Sequence, residues 1–112
     1  MYKRNGLDSI RQRKYNVGMK SLGFEWDKDK SKANQAKHGV SFEEAASVFY
    51  DGWAVEFYDD ENSEWDDRFL ILGVSAKLRL LMVCHCYRAA ESSIRIISAR
   101  KATKNEATYY RR

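Results

Sequence analysis

Three groups of residues in this 112-residue chain could do chemistry. The first is the run Cys84-His85-Cys86. Two thiols and an imidazole suggest a metal site, but consecutive positions on a strand send His85 to the face opposite the thiols. No CxxC or HxxxH pair adds further ligands, so no metal and no other cofactor is expected. The second group is the carboxylates between Asp59 and Asp67, which read as a solvated loop rather than a working acid and base. A GxSxG elbow, a P-loop and a dinucleotide fingerprint are all missing. The third group is cationic: Arg68, Arg79, Arg88, Arg95 and Arg100, with Lys37 and His38. Strand-borne arginines are held more rigidly than loop ones, and their forked donors match the oxygens of a phosphate. Taken singly, each is explained as well by a solvated strand end paired to the acidic loop. As a set they point to an anionic ligand.

The elements that must position these groups can be read from caps and periodicity. Residues 24 to 26 (FEW) form a short extended segment, Asp27 N-caps a helix through Lys37, and Gly39 stops it. Ser41 and Glu44 form a capping box with Val40 and Ala45 at staple positions. Phe42, Ala45, Ala46 and Phe49 then make the apolar stripe of a second helix. Trp53, Val55 and Phe57 alternate as a strand, and residues 68–74, 79–88 and 93–100 are three more, joined by short connectors at 75–78 and 89–92. Thr103 and Glu106 cap a short last helix containing Tyr109 and Tyr110. The expected architecture is α+β: two N-terminal helices on a roughly four-stranded antiparallel sheet, a short C-terminal helix, and helices on one sheet face. On strand 79–88 the set Leu80, Met82, Cys84 and Cys86 is expected to be the helix-covered core. In 93–100, parity leaves open which arginine faces which surface.

Length and composition fit one domain with a modest core: 44% of residues are hydrophobic and 13% aromatic. No apolar run approaches the roughly 18 residues of a membrane span, and no leader opens the chain. The two cysteines read as reduced thiols. These features predict a soluble, cytoplasmic protein with no membrane partner. The total charge of +4 hides a bipolar distribution. Residues 1–22 carry net +5, residues 23–67 carry net −9, and residues 68–112 carry net +8. A basic second half beside an acidic middle can focus a positive face. Residues 1–22 lack apolar periodicity and read as a flexible basic extension, with the domain at 23–112. A start at Met19 would give a chain opening MKSLGFEWD.

The strings FEWDKDKSKANQAKHGVSFEEAASVF, RFLILGVS after an acidic loop, and RIISARKATKNEATYY closely resemble the BrnT family of type II toxins over about residues 23 to 110. The family pattern does not require the basic tail before Gly23. The resemblance implies a RelE-like ribonuclease fold and a metal-independent endoribonuclease that halts translation. It also implies neutralisation by a cognate BrnA-like ribbon-helix-helix antitoxin, with operator DNA bound only through that antitoxin. The reaction it implies is attack of an RNA 2′-OH on the adjacent phosphate, leaving a 2′,3′-cyclic phosphate and a 5′-OH. By that resemblance Arg68, Arg95 and Arg100 stabilise the transition state. Proton transfer is left among His85, Lys37 and His38, with Glu106 or Tyr109 reaching in. Arg79, Arg88, Tyr87 and Tyr109 bind substrate, and Tyr87 or Phe69 offers a stacking surface. A non-catalytic basic nucleic-acid-binding module, or a decayed toxin, is the alternative.

Overall fold

The structure, a computed structural model, describes residues 11–12, 23–88 and 93–110. Six strands form one mixed sheet: β1 (Arg11–Gln12), β2 (Gly23–Glu25), β3 (Val55–Tyr58), β4 (Phe69–Val74), β5 (Leu80–Arg88) and β6 (Ser93–Lys101). Their order is β1-β3-β4-β5-β6-β2. The expected antiparallel meander is present as β3 to β6, but the sheet is not limited to it. The FEW segment adds β2 parallel to β6, and Arg11–Gln12 adds β1 to the far edge. The rest of the expected basic extension over 1–22, and the connector at 89–92, lie outside the described residues. Trp53 is also outside β3, exposed in the turn before it.

The helices are α1 (Lys28–His38), α2 (Phe42–Ser47) and α3 (Lys104–Ala107). Asp27 starts α1 by accepting the N–H of Asp29 at 2.8 Å and of Lys30 at 3.0 Å. Gly39 ends it at φ 71°, a conformation favouring glycine, with its N–H on Gln35 O at 2.9 Å. Ser41 caps α2 through the Glu44 N–H at 3.0 Å, but the other half of the expected box does not form. The Glu44 carboxylate is engaged instead by the Arg79 guanidinium and by the Ser75 hydroxyl at 2.7 Å, tying α2 to the β4–β5 turn. Thr103 and Glu106 do make the full box at α3, while Tyr109 and Tyr110 lie just beyond that helix rather than in it.

Both sheet faces are covered, which corrects the expectation of helices on one side. Leu81, Val83, Ile94, Ile96 and Ala99 pack against Val40, Phe42, Ala45, Val48 and Phe49 of the N-terminal helical layer. The odd-numbered residues of β5 therefore face that layer, not the even set. Met82 belongs to a second cluster with Val55, Phe57 and Leu72, against which Tyr109 and Tyr110 pack. A strand buried on both faces reads as a continuous apolar run, so parity identifies the two faces without saying which helices cover each. At Gly73 the layers approach so closely that a Cβ would lie 2.9 Å from Ala54 Cβ and from Val48 Cγ1.

One buried amide joins α1 to β6. Asn34 donates from Nδ2 to Val40 O at 3.0 Å and to Ala99 O at 2.9 Å, and its Oδ1 accepts the Ala99 N–H at 3.1 Å. Removing it orphans buried backbone groups, each costing about 1–3 kcal/mol. Asn34→Ala should lower unfolding free energy by about 3 kcal/mol in urea titration; a loss below about 0.5 kcal/mol, the ordinary surface level, would contradict this. A second prediction concerns pH. The Arg79 hydrogen bond, with help from Ser75, holds the Glu44 carboxyl below its ordinary value. Its contribution to stability is thus full above the unfolded glutamate value of about 4.3 and is lost as pH falls through the folded value. Glu44→Gln should flatten the acid side of the stability profile in thermal melts; parallel wild-type and variant curves would refute the linkage.

Candidate functional site

The arginines meet on the sheet face turned away from the N-terminal helices. Register pairs Leu70 with Cys84 and Cys84 with Ser98, Leu72 with Met82 and Met82 with Arg100, and Cys86 with Arg95. Partners in register share a face. Arg68 alternates with Phe69 and so falls on the same face as Leu70, and its charge acts on the neighbouring Cys84 thiol. Arg68, Cys86 and Arg95 thus make a row across three strands, with Arg100 further along β6.

This gathering depends on an irregularity in β6. Cys84 pairs with Ser98 and His85 with Ile96, so Ile97 is left without a partner and the alternation shifts by one. Arg95 and Arg100, five positions apart, would otherwise point to opposite faces. Sequence parity does not show it, because Ile94, Ile96, Ile97 and Ala99 fit either face; the burial of Ala99 with Ile94 and Ile96, a step of three in a period of two, reveals it.

The cations differ in their partners. Arg95 Nη1 holds Glu25 Oε2 at 3.0 Å, an ion pair in which both side chains are over a third exposed. Arg100 grips Glu106 with two parallel bonds, Nη1 to Oε1 and Nη2 to Oε2, both 2.8 Å. The same Glu106 Oε1 accepts the Thr103 N–H at 2.9 Å. The Arg100 bonds hold the Glu106 carboxyl below its usual value despite partial burial. Among the described residues, the Arg68 guanidinium makes no hydrogen bond or ion pair. A fork that matches a carboxylate in this planar geometry also matches two phosphate oxygens.

The other expected site residues are spread over both faces of the sheet. His85 is fully buried on the helix-covered face, with Nδ1 3.1 Å from Val83 O and Nε2 2.9 Å from Glu56 Oε2. Phe49 stands edge-on to its ring at 4.7 Å. The Tyr87 hydroxyl donates to the same Glu56 oxygen. His85 therefore cannot reach a ligand on the arginine face; it is a buried polar anchor under Phe49. Lys37 and His38 end α1 beside Gly39, whose carbonyl accepts Arg79 Nη2 at 2.9 Å, so these two and Arg79 group apart from the arginine row. Arg88 is exposed at the end of β5. Tyr109 stands edge-on to Phe57 at 5.6 Å, on the arginine side of the sheet.

Neither cysteine is a nucleophile in waiting. Both are free and buried, and burial with the nearby Asp59 charge pushes the Cys84 thiol up to about 11. No group of three or more metal-ligating side chains occurs among the described residues. Nor is any described helix long and apolar enough to cross a membrane. The site offers guanidinium groups, a carboxylate locked to one of them, and an aromatic rim.

The profile of the ribonuclease toxin BrnT of type II toxin–antitoxin systems matches residues 26–106. Among solved structures, the Brucella abortus ribonuclease toxin BrnT superposes with a TM-score of 0.58 at 23% identity, over 75% of this chain and 100% of that one. No curated protein sequence matches the chain. The structural likeness carries the fold, and the profile runs from before α1 into α3. The chain belongs to the BrnT family of ribonuclease toxins of type II toxin–antitoxin systems.

Proposed function

We propose that the chain is a metal-independent endoribonuclease that cleaves RNA on the arginine face of the sheet and thereby inhibits translation. The observation that carries this reading is the alignment of Arg68 and Arg95 across one face, with Arg100 on the same side. Guanidinium groups supply there the positive charge that a phosphorane-like transition state needs. The RNA 2′-OH attacks the adjacent phosphorus, the bond to the 5′ oxygen breaks, and a 2′,3′-cyclic phosphate and a 5′-OH result. DNA lacks the attacking group. Arg68, with no partner among the described residues, binds the phosphate first. Arg100 takes a phosphate oxygen in place of one of its bonds to Glu106. The Glu106 carboxylate, ionised at neutral pH and partly released in this exchange, accepts the 2′-OH proton. Tyr109 protonates the leaving 5′ oxygen from the edge of the same face.

The cognate partner of such a toxin is an antitoxin, here of the BrnA-like ribbon-helix-helix type, in the cytoplasm. An acidic segment of it lying over the arginines would compete with RNA for the same charges, and operator DNA would be reached only through it. The N-terminal extension over 1–22 adds basic charge ahead of the domain and is not needed for the chemistry.

Purified wild-type protein should produce new 5′-OH ends on cellular RNA, and Arg68→Ala, Arg95→Ala and Arg100→Ala should each lower cleavage by about 100- to 1,000-fold while remaining folded. Full activity in a folded variant removes that arginine from the site. For Glu106, the pH profile separates a proton acceptor from a holder of Arg100. Glu106→Gln should abolish the acid limb of the cleavage profile, whereas an unchanged acid limb at reduced rate would assign Glu106 to positioning alone.

A further inference from the structure

At the sheet end next to Arg68, the acidic loop and the ends of β4 and β5 frame a cavity of about 420 Å³ that the reaction does not use. Its walls are Trp65, Asp66, Asp67, Phe69, Cys86, Tyr87 and Arg88. Trp65 is 89% exposed, an unusual position for an indole with no packing role. Phe69 and Tyr87 meet at 5.3 Å, and Phe69 also touches Tyr58 at 5.5 Å, so the opposite wall is a fixed aromatic cluster. Tyr58 further anchors the loop by donating to Asp67 Oδ1 at 2.9 Å.

The cavity lies at the strand ends between the two sheet faces: Cys86 and Arg88 reach it from the arginine face, Phe69 and Tyr87 from the helix-covered one. Cys86 forms part of its wall and pairs with Arg95, and Arg68 lies between two other lining residues, Asp67 and Phe69. The cavity is therefore the recess adjoining Arg68 in which a base attached to a bound phosphate would lodge. We propose that the cavity is a nucleobase pocket that selects guanine next to the phosphate bound by the arginines. The proposal rests on the ribonuclease reading for its substrate class and adds the base that the site chooses.

The polarity of the walls carries the choice. Arg88 offers a forked donor suited to guanine O6 and N7. Asp66 offers a carboxylate suited to the guanine N1–H and N2–H₂ donors. Neither side chain has a hydrogen-bond or ion-pair partner among the described residues. Adenine keeps N7 but puts an amino donor in place of O6 toward the arginine, and a bare N1 in place of the N1–H donor toward the carboxylate. Trp65 supplies a two-ring stacking platform, and a purine covers more of it than a pyrimidine does.

The test follows the three tryptophan indole N–H signals in the nuclear magnetic resonance spectrum of the full chain, with the Trp65 signal assigned by its loss in Trp65→Phe. Guanosine 3′- and 5′-monophosphates are titrated beside the adenosine, cytidine and uridine equivalents. Guanosine nucleotide should move the Trp65 signal with at least ~10-fold tighter binding than the others, and Trp65→Ala should weaken it by ~10-fold or more. Asp66→Asn should erase the preference for guanine while binding persists. RNA cleavage by the wild-type protein together with a silent Trp65 signal, or with equal affinity for all four bases, would overturn the base pocket and leave the ribonuclease reading standing. A guanine-selective Trp65 response without any RNA cleavage would do the reverse.

Discussion

One unpaired residue in β6 decides which side chains share a face of this sheet. Side chains on a strand alternate strictly, so every residue downstream of Ile97 faces the side opposite to the one plain alternation would assign. That single shift lets Ile94, Ile96 and Ala99 all serve the core beneath the helices while Arg95 and Arg100 stand together on the other face. Without it, one arginine or the apolar set would be misplaced, and burying an unpaired guanidinium costs far more than a local break in a ladder. The bulge therefore reconciles the core with the gathering of the arginines on one face.

The remainder of the structure stabilises the sheet from both sides. Asn34 continues the edge of β6 beyond the three residues paired by β2, and the Glu44–Arg79 pair fastens α2 to the β4–β5 turn. On the far side, Tyr110 donates to Asp51 Oδ2 at 2.5 Å, and the same oxygen accepts the Val74 N–H at 2.8 Å. That bond anchors the chain just after α3, fixing where Glu106 meets Arg100. Carboxylates next to Arg95 and Arg100 keep the cations oriented, leaving ion pairs that a phosphate can exchange with rather than buried ones it would have to break.

Much of this was legible in the residues. Asp27, Gly39, Ser41 and Thr103 mark helix boundaries through local hydrogen-bond chemistry, which needs no knowledge of tertiary structure, and all four act at their expected positions. The strands of the meander were equally plain. What stayed hidden depends on partners distant in sequence. The FEW segment reads as extended, but nothing in three residues foretells its parallel pairing with β6. Glu44 looked like the second half of a box until Arg79, thirty-five positions away, became its neighbour. His85 has the side chain of an acid–base catalyst, but only the packing of Phe49 and Glu56 shows that it is sealed off. Trp65 gave one unused hint, a lone indole among acidic residues with no apolar period to bury it.

The central claim is that RNA lies across the sheet with its scissile phosphate on Arg68, Arg95 and Arg100. A crystal structure of the protein with a short 2′-O-methyl RNA, which retains every phosphate but cannot attack, examines it most directly. The account predicts a phosphate within hydrogen-bond distance of Arg68 and at least one of the other two, with the Arg100–Glu106 pair opened. A phosphate seated instead among Lys37, His38 and Arg79, with the arginine row empty, would contradict it.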